Sequence, residues 1–175
     1  MNKSSLFGFL FLGLFSFNET TASFILESPA FKTNTLIPDY YSCSGKDISP
    51  PLSWKDVPAK TQSLAVVVLD PDAADGQWAH WLLFNIPPSI KNLKANSDLP
   101  EGSGIGKNSW ETVEYRGPCP PIGAVHRYVF TLYALDTTLS LEDGASKDEV
   151  FNAMTGHVIG SAELVGLYQK LPTPK

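Results

Sequence analysis

The sequence predicts one mainly β domain, a sandwich or a barrel, with long loops and a helix near its C-terminus. Through about residue 135, apolar runs rich in β-branched and aromatic residues alternate with turn-forming Gly and Pro, the pattern of strands and loops. Helical periodicity enters only near the C-terminus. The chain has 175 residues, is 43% hydrophobic and carries 14 prolines and 13 glycines. That is enough for one well-buried core and too little to demand two.

The N-terminus reads as a secretory signal. Lys3 precedes an apolar run from Leu6 to Phe17, and Thr20-Thr21-Ala22 offers the small residues a signal peptidase reads. The expected division is therefore a signal over residues 1–22 and a domain over 23–175, with Ser23 as the new N-terminus. The alternative, an anchor helix, is disfavoured because the run falls short of the ~20 residues that cross a bilayer. No later segment has the length and apolarity of a span, so the mature chain is expected in the periplasm or secreted. The net charge of -5 survives cleavage, since Lys3 and Glu19 cancel. That balance disfavours phosphate backbones and anionic membranes, which argues against a nucleic-acid role.

Ser63 to Leu69 is a continuous apolar run rich in β-branched residues, suited to a strand buried on both faces, and Asp70-Pro71-Asp72 ends it. The next strand is expected from Trp78 to Ile86, stopped by Pro87-Pro88. Regular pairing would place Trp78, His80, Leu82, Phe84 and Ile86 on one face and Ala79, Trp81, Leu83 and Asn85 on the other. Ser89 to Gly123 lacks a pattern and reads as long loops, a common place for function. A third strand from His126 to Leu135 turns His126, Tyr128, Phe130 and Leu132 one way and Arg127, Val129, Thr131 and Tyr133 the other. Beyond it, Val150, Met154, His157, Val158, Ser161, Leu164, Val165 and Tyr168 form a helical stripe, with Ser146 and Glu149 as a capping box.

The chemistry concentrates at strand ends. Asp70 closes one strand, His80 opens the next, and His126 with Tyr128 opens a third. In a sandwich these ends can share a rim and form a shallow polar pocket. A carboxylate-oriented imidazole and a phenol suit a small anion such as phosphate or acetate, and the two aspartates can set the histidines' tautomer or meet a ligand ammonium group. The plain alternative is that Asp70-Pro71-Asp72 only caps a turn and the histidines are structural. His157 is read as a packing residue outside the site. Two His and an Asp also resemble a facial metal triad, yet no pair has the tight spacing of a zinc protease. There is no G-x-S-x-G elbow, and Gly102-Ser103-Gly104-Ile105-Gly106 lacks the context of a phosphate loop. Trp54, Trp78, Trp81 and Trp110 read as core or as an aromatic rim. Cys43 and Cys119 are the only cysteines, and an oxidising compartment would let them bridge; two free buried thiols is the alternative.

Several segments together resemble the phosphatidylethanolamine-binding protein family, also called Raf-kinase-inhibitor-like proteins, in its bacterial branch. They are Ser49 to Trp54, Asp70 to Ala73, Trp78 to Trp81, Gly117 to Pro121, His126 to Tyr128, and Gly156 to Val158 through Ala162 to Leu164. The resemblance implies a Greek-key antiparallel β-sandwich whose anion pocket is lined by Asp70, Asp72, His80, His126 and Tyr128. Pro71 and the loop Gly117, Pro118, Cys119, Pro120, Pro121 would frame it. Ala74 departs from a usual proline, and Glu111 and Glu114 from usual glycines, adding negative charge beside the pocket. The expected function is an exported, non-enzymatic binding protein for a small anion, phosphate or a phospholipid headgroup, without metal or cofactor. The alternative is an inhibitor of a protease or signalling enzyme acting through protein contacts, and a hydrolase or metal enzyme is the third class. A homodimer is left open by the sequence.

Overall fold

The computed structural model describes residues 23–74 and 76–172. The expected signal, residues 1–22, lies outside the described residues. The strands are β1 (Ile25–Glu27), β2 (Thr35–Leu36), β3 (Leu52–Lys55), β4 (Ser63–Asp70), β5 (Trp78–Ile86), β6 (Asn92–Leu93), β7 (Gly104–Ile105), β8 (Val125–Leu135) and β9 (Val158–Gln169), with helix α1 (Lys147–Met154) between the last two. They form a six-stranded sheet in the order β2-β9-β8-β4-β5-β7 and a three-stranded sheet in the order β1-β3-β6. Pairing is antiparallel except between β2 and β9. The protein is thus mainly β, with two sheets and one short helix.

Both faces of the large sheet are covered, which is why β4 is apolar almost throughout. Leu64, Val66 and Val68 meet Leu26, Leu52, Trp54 and Leu93 of the small sheet in the inter-sheet core. Ala65 and Val67 face the other way, onto Val150 and Met154 of α1. No helix among the described residues is long and apolar enough to cross a membrane.

Two local results differ from the sequence expectation. In β5 the alternation is broken: Leu69 pairs with Ala79 but Val68 with Trp81, and Leu64 with Ile86 but Val66 with Leu83. Each step leaves extra β5 residues opposite one fewer on β4, the signature of a β-bulge. Ala79 therefore packs with Leu82 and Phe84, while Ile86 joins Trp81 and Leu83 in the inter-sheet core. Asn85, in the second bulge, takes φ 55, and its amide exchanges hydrogen bonds with the backbone of Leu139 at 2.9 and 2.7 Å. The first bulge frees His80 from the face it was expected to share with Leu82.

The second difference is the length of the helix. The capping box at Ser146 and Glu149 forms as expected, but the helix stops at Met154, and the expected continuation through Tyr168 is strand β9. Gly156 at φ 83 turns the chain. From there Ala162, Leu164, Gly166 and Tyr168 alternate inward along a ladder with β8 that runs from Val125↔Gln169 to Leu135↔Val158. Gly166 suits that position because a Cβ there would lie 2.4 Å from Ile37. The apolar positions satisfy both periods in part, and a long partner strand decides between them.

Candidate functional site

Asp70 performs two tasks at the end of β4, where it is 4% exposed. Its Oδ1 accepts the backbone N–H groups of Asp72 and Ala73 at 2.9 and 3.0 Å, which holds the turn through Pro71. Its Oδ2 accepts the Nδ1–H of His126 at 2.7 Å. Turn-capping and ring orientation are therefore the work of the same side chain, one oxygen each. The bond assigns the His126 proton to Nδ1 and leaves Nε2 as the outward nitrogen.

His80 is buried at the β5 bulge. Its Nδ1 donates to the Arg116 carbonyl at 2.7 Å, and the Arg116 N–H returns a bond to the His80 carbonyl at 3.0 Å. Because a carbonyl only accepts, the neutral ring carries its proton on Nδ1 and a lone pair on Nε2. Burial lowers the His80 pKa, partly opposed by the Arg116 carbonyl and by the Asp70 charge, so the ring stays neutral at physiological pH. It stands edge-on to Tyr128 at 5.1 Å between centroids and to Trp110 at 5.0 Å.

Tyr128 completes the cluster from the His126 face of β8, only 1% exposed. Burial, and next the nearby Asp70 charge, push its phenol pKa far up, so the hydroxyl keeps its proton. Although it lies near Asp70, its Oη makes no hydrogen bond of acceptable geometry among the described residues. A buried hydroxyl in that condition is costly, on the order of 1–3 kcal/mol. The site thus joins a neutral imidazole, a carboxylate-held imidazole and a buried phenol.

The loop from Gly117 to Pro121 is pinned beside this cluster. Gly117 N–H donates to Asp47 Oδ1 at 2.6 Å, and a Cβ on Gly117 would fall 2.2 Å from the Tyr41 carbonyl oxygen. Pro118 accepts from the Cys43 N–H at 3.1 Å, and Cys43 and Cys119 are joined by a disulfide. The backbone of Gly117 reaches the surroundings of His80, and that of Cys119 those of Tyr128. Gly117, Pro118 and Pro120 are buried, whereas Cys119 is exposed.

Asp72 makes its hydrogen bonds to Arg127 and not to a histidine. Its Oδ2 accepts from the Arg127 backbone N–H at 2.8 Å and from Nε at 2.9 Å, and its Oδ1 from Nη2 at 2.7 Å. These bonds hold its pKa at about 2. Arg127 points away from His126, as strand parity predicts, and engages Asp72; of the two aspartates, Asp70 is the one hydrogen-bonded to a site histidine. Glu114 is paired with Arg116 at 2.9 Å and Glu111 with Lys107 at 3.7 Å, so their negative charge is offset locally. His157 binds Asp136 at 2.8 Å, just before β9.

Sequence reasoning passed over Asn108 and Arg116. Asn108 is 2% exposed, and its amide bonds the backbone of Trp110, Thr112 and Glu114, shaping the loop that sets Trp110 against His80. Asn in a turn-rich segment was the available signal. Arg116 acts through its backbone, which no side-chain motif reveals. A cleft of about 840 Å³ lies elsewhere and has no histidine in its lining. The strand-end cluster is the candidate site because that is where buried titratable groups converge. Among the described residues no three His, Cys, Asp or Glu side chains are grouped as a metal site would need.

Two packed sheets with a polar His, Asp and Tyr cluster at the strand ends define the class, a β-sandwich with a rim site. The family model "Phosphatidylethanolamine-binding protein" matches residues 27–169, and the chain belongs to that family. A UPF0098 protein of Methanothermobacter thermautotrophicus is 53% identical over 149 residues, covering 83% of this chain and 98% of its own. The crystal structure of a putative phosphatidylethanolamine-binding protein homologue from Chlamydia trachomatis superposes with a TM-score of 0.79 at 43% identity, over 85% of this chain and 98% of that one. E. coli YbcL, described as a member of the mammalian family, gives a TM-score of 0.80 at 31% identity, over 85% and 99%.

Proposed function

We propose that the strand-end site binds a small oxyanion, free phosphate or the phosphate of a phospholipid headgroup, and that the protein acts by binding rather than catalysis. The buried Tyr128 hydroxyl, which makes no hydrogen bond of acceptable geometry among the described residues, carries this reading. A phosphate oxygen would accept its proton, and protonated His126 would donate from Nε2 while Asp70 holds Nδ1. His80 offers the opposite chemistry, since its Nε2 lone pair accepts a proton from a singly protonated phosphate ester. Two donors and one acceptor select a protonated phosphate over a fully ionised one. The family name, phosphatidylethanolamine-binding protein, supports the headgroup as the natural form.

Binding without turnover is supported by the same groups. The Tyr128 phenol holds its proton too tightly to attack, and Cys119 is committed to a disulfide. The apolar run Leu6 to Phe17 and the Cys43–Cys119 bridge together support export to an oxidising compartment. Titration with phosphate and phosphoethanolamine, followed by nitrogen NMR of His80 and His126, tests the site. Both rings are expected to shift at millimolar ligand, and no shift would sink the proposal. A periplasmic protein partner retained by the His126→Ala variant would move the function to another surface.

A further inference from the structure

The Cys43–Cys119 bridge stands at the surface and beside the strand-end site at once. Cys119 is exposed and Cys43 half-buried, so a thiol in solution can approach the Cys119 sulfur. The Lys170 ammonium lies 3.7 Å from that sulfur, and its charge favours a thiolate there. The loop that carries Cys119 is anchored on either side of it. On one side Gly117 N–H donates to Asp47 Oδ1 at 2.6 Å, and the Pro118 carbonyl accepts from Cys43 N–H at 3.1 Å. On the other, Ala124 N–H donates to the Pro121 carbonyl at 3.0 Å and Gly123 N–H to the Lys170 carbonyl at 2.9 Å. Between these anchors the bridge ties Cys119 down, and it is the Cys119 backbone that reaches the surroundings of Tyr128.

We propose that this bridge is a thiol–disulfide exchange site, opened by a dithiol, and that opening it weakens the hold of the strand-end site on phosphate. The inference rests on the phosphate reading of that site. One thiolate of the dithiol attacks the exposed Cys119 sulfur, the bond to Cys43 breaks, and Cys43 leaves as a thiolate that takes a proton from water. The second thiolate then attacks the dithiol's own sulfur in the mixed disulfide and releases Cys119 as a thiolate beside Lys170. The dithiol ends as a cyclic disulfide, its two electrons now on the cysteine sulfurs and its two protons in the solvent that reprotonates them. A thiol of lower pKa leaves faster, so Lys170 speeds the second step. The Gly117 and Pro118 anchors are hydrogen bonds and outlast the bridge. Opening therefore frees Cys119 beside Tyr128 and leaves in place Gly117, whose backbone reaches the surroundings of His80. In an oxidising compartment the closed, phosphate-binding form is the resting one.

Dithiothreitol is the probe. Isothermal titration of phosphate into the oxidised and the reduced protein is expected to show binding about tenfold weaker after reduction, because a loosened loop must be ordered again when the ligand binds. Reduction is expected to shift the NMR signals of Tyr128 and His126 and to leave those of His80 nearly still. The Cys43→Ser, Cys119→Ser double variant is expected to bind phosphate as the reduced protein does and to ignore dithiothreitol. Lys170→Gln is expected to slow reduction about fivefold, with circular dichroism matching the parent. An unchanged rate in that variant overturns the role given to Lys170. Equal phosphate affinity in the two redox states, or a reduced chain that has lost its fold, overturns the inference and leaves the phosphate reading standing. No phosphate binding by the oxidised protein sinks both.

Discussion

Replacing Tyr128 by Phe separates the cost of the buried hydroxyl from its use. The ring sits in the inter-sheet core beside His80 and is 1% exposed, so the substitution keeps nearly all the packing and removes one oxygen that makes no hydrogen bond of acceptable geometry among the described residues. An unsatisfied buried polar group costs about 1–3 kcal/mol, so the ligand-free variant is expected to be more stable by at least about 1 kcal/mol, the low end of that range. For a domain of this size that is a rise of roughly 2–4 °C in Tm. The same change removes a donor to a charged ligand, a bond of about 1.5–3 kcal/mol, and is expected to weaken phosphate binding roughly 10- to 100-fold. Scanning calorimetry without ligand and isothermal titration with phosphoethanolamine read the two effects. A variant that melts lower and binds phosphoethanolamine as well as the parent would refute the reasoning, because the hydroxyl would then have a structural partner and no ligand.

Three further outcomes follow from the geometry. Burial holds the His80 pKa below 6.5 in the folded chain, so its contribution to stability is whole above about pH 6.5 and is lost as pH falls toward the lowered value; denaturant melts at neutral and mildly acid pH should show His80→Gln with a shallower slope than the parent, and equal slopes would count against a neutral buried ring. The Cys43–Cys119 bridge spans 76 residues, which in the chain-entropy model corresponds to about 4.5 kcal/mol; the double Cys→Ser variant should lose stability of that order, and a loss under about 1 kcal/mol would point to a loop held by other contacts. Gly117→Ala puts a methyl group against the Tyr41 carbonyl and the Asp47 carboxylate, so a destabilisation of about 1–3 kcal/mol with disturbed His80 resonances is expected, and an unperturbed spectrum would show that the loop adapts freely.

What the sequence by itself determined is local. The span of β5 from Trp78 to Ile86, the doubly buried β4, the start of β8 within a residue of His126 and the capping box at Ser146 are all legible, because apolar periodicity, Pro-Pro breakers and Ser/Glu spacing act over a few residues. The same locality made Asp70, His80, His126 and Tyr128 visible as polar groups at strand ends. Tertiary structure decided what needs a distant partner. β9 is a strand because it has eleven β8 residues to pair with, although its apolar positions also fit a helix. His80 turns toward Tyr128 because β5 bulges against β4, Asp72 goes to Arg127 while Asp70 goes to His126, and the Arg116 backbone fixes a tautomer from 36 residues away. Hydrogen bonds and packing reward spatial contact whatever the separation in sequence, so a pattern read a few residues at a time shows which groups are available and the folded chain alone selects their partners.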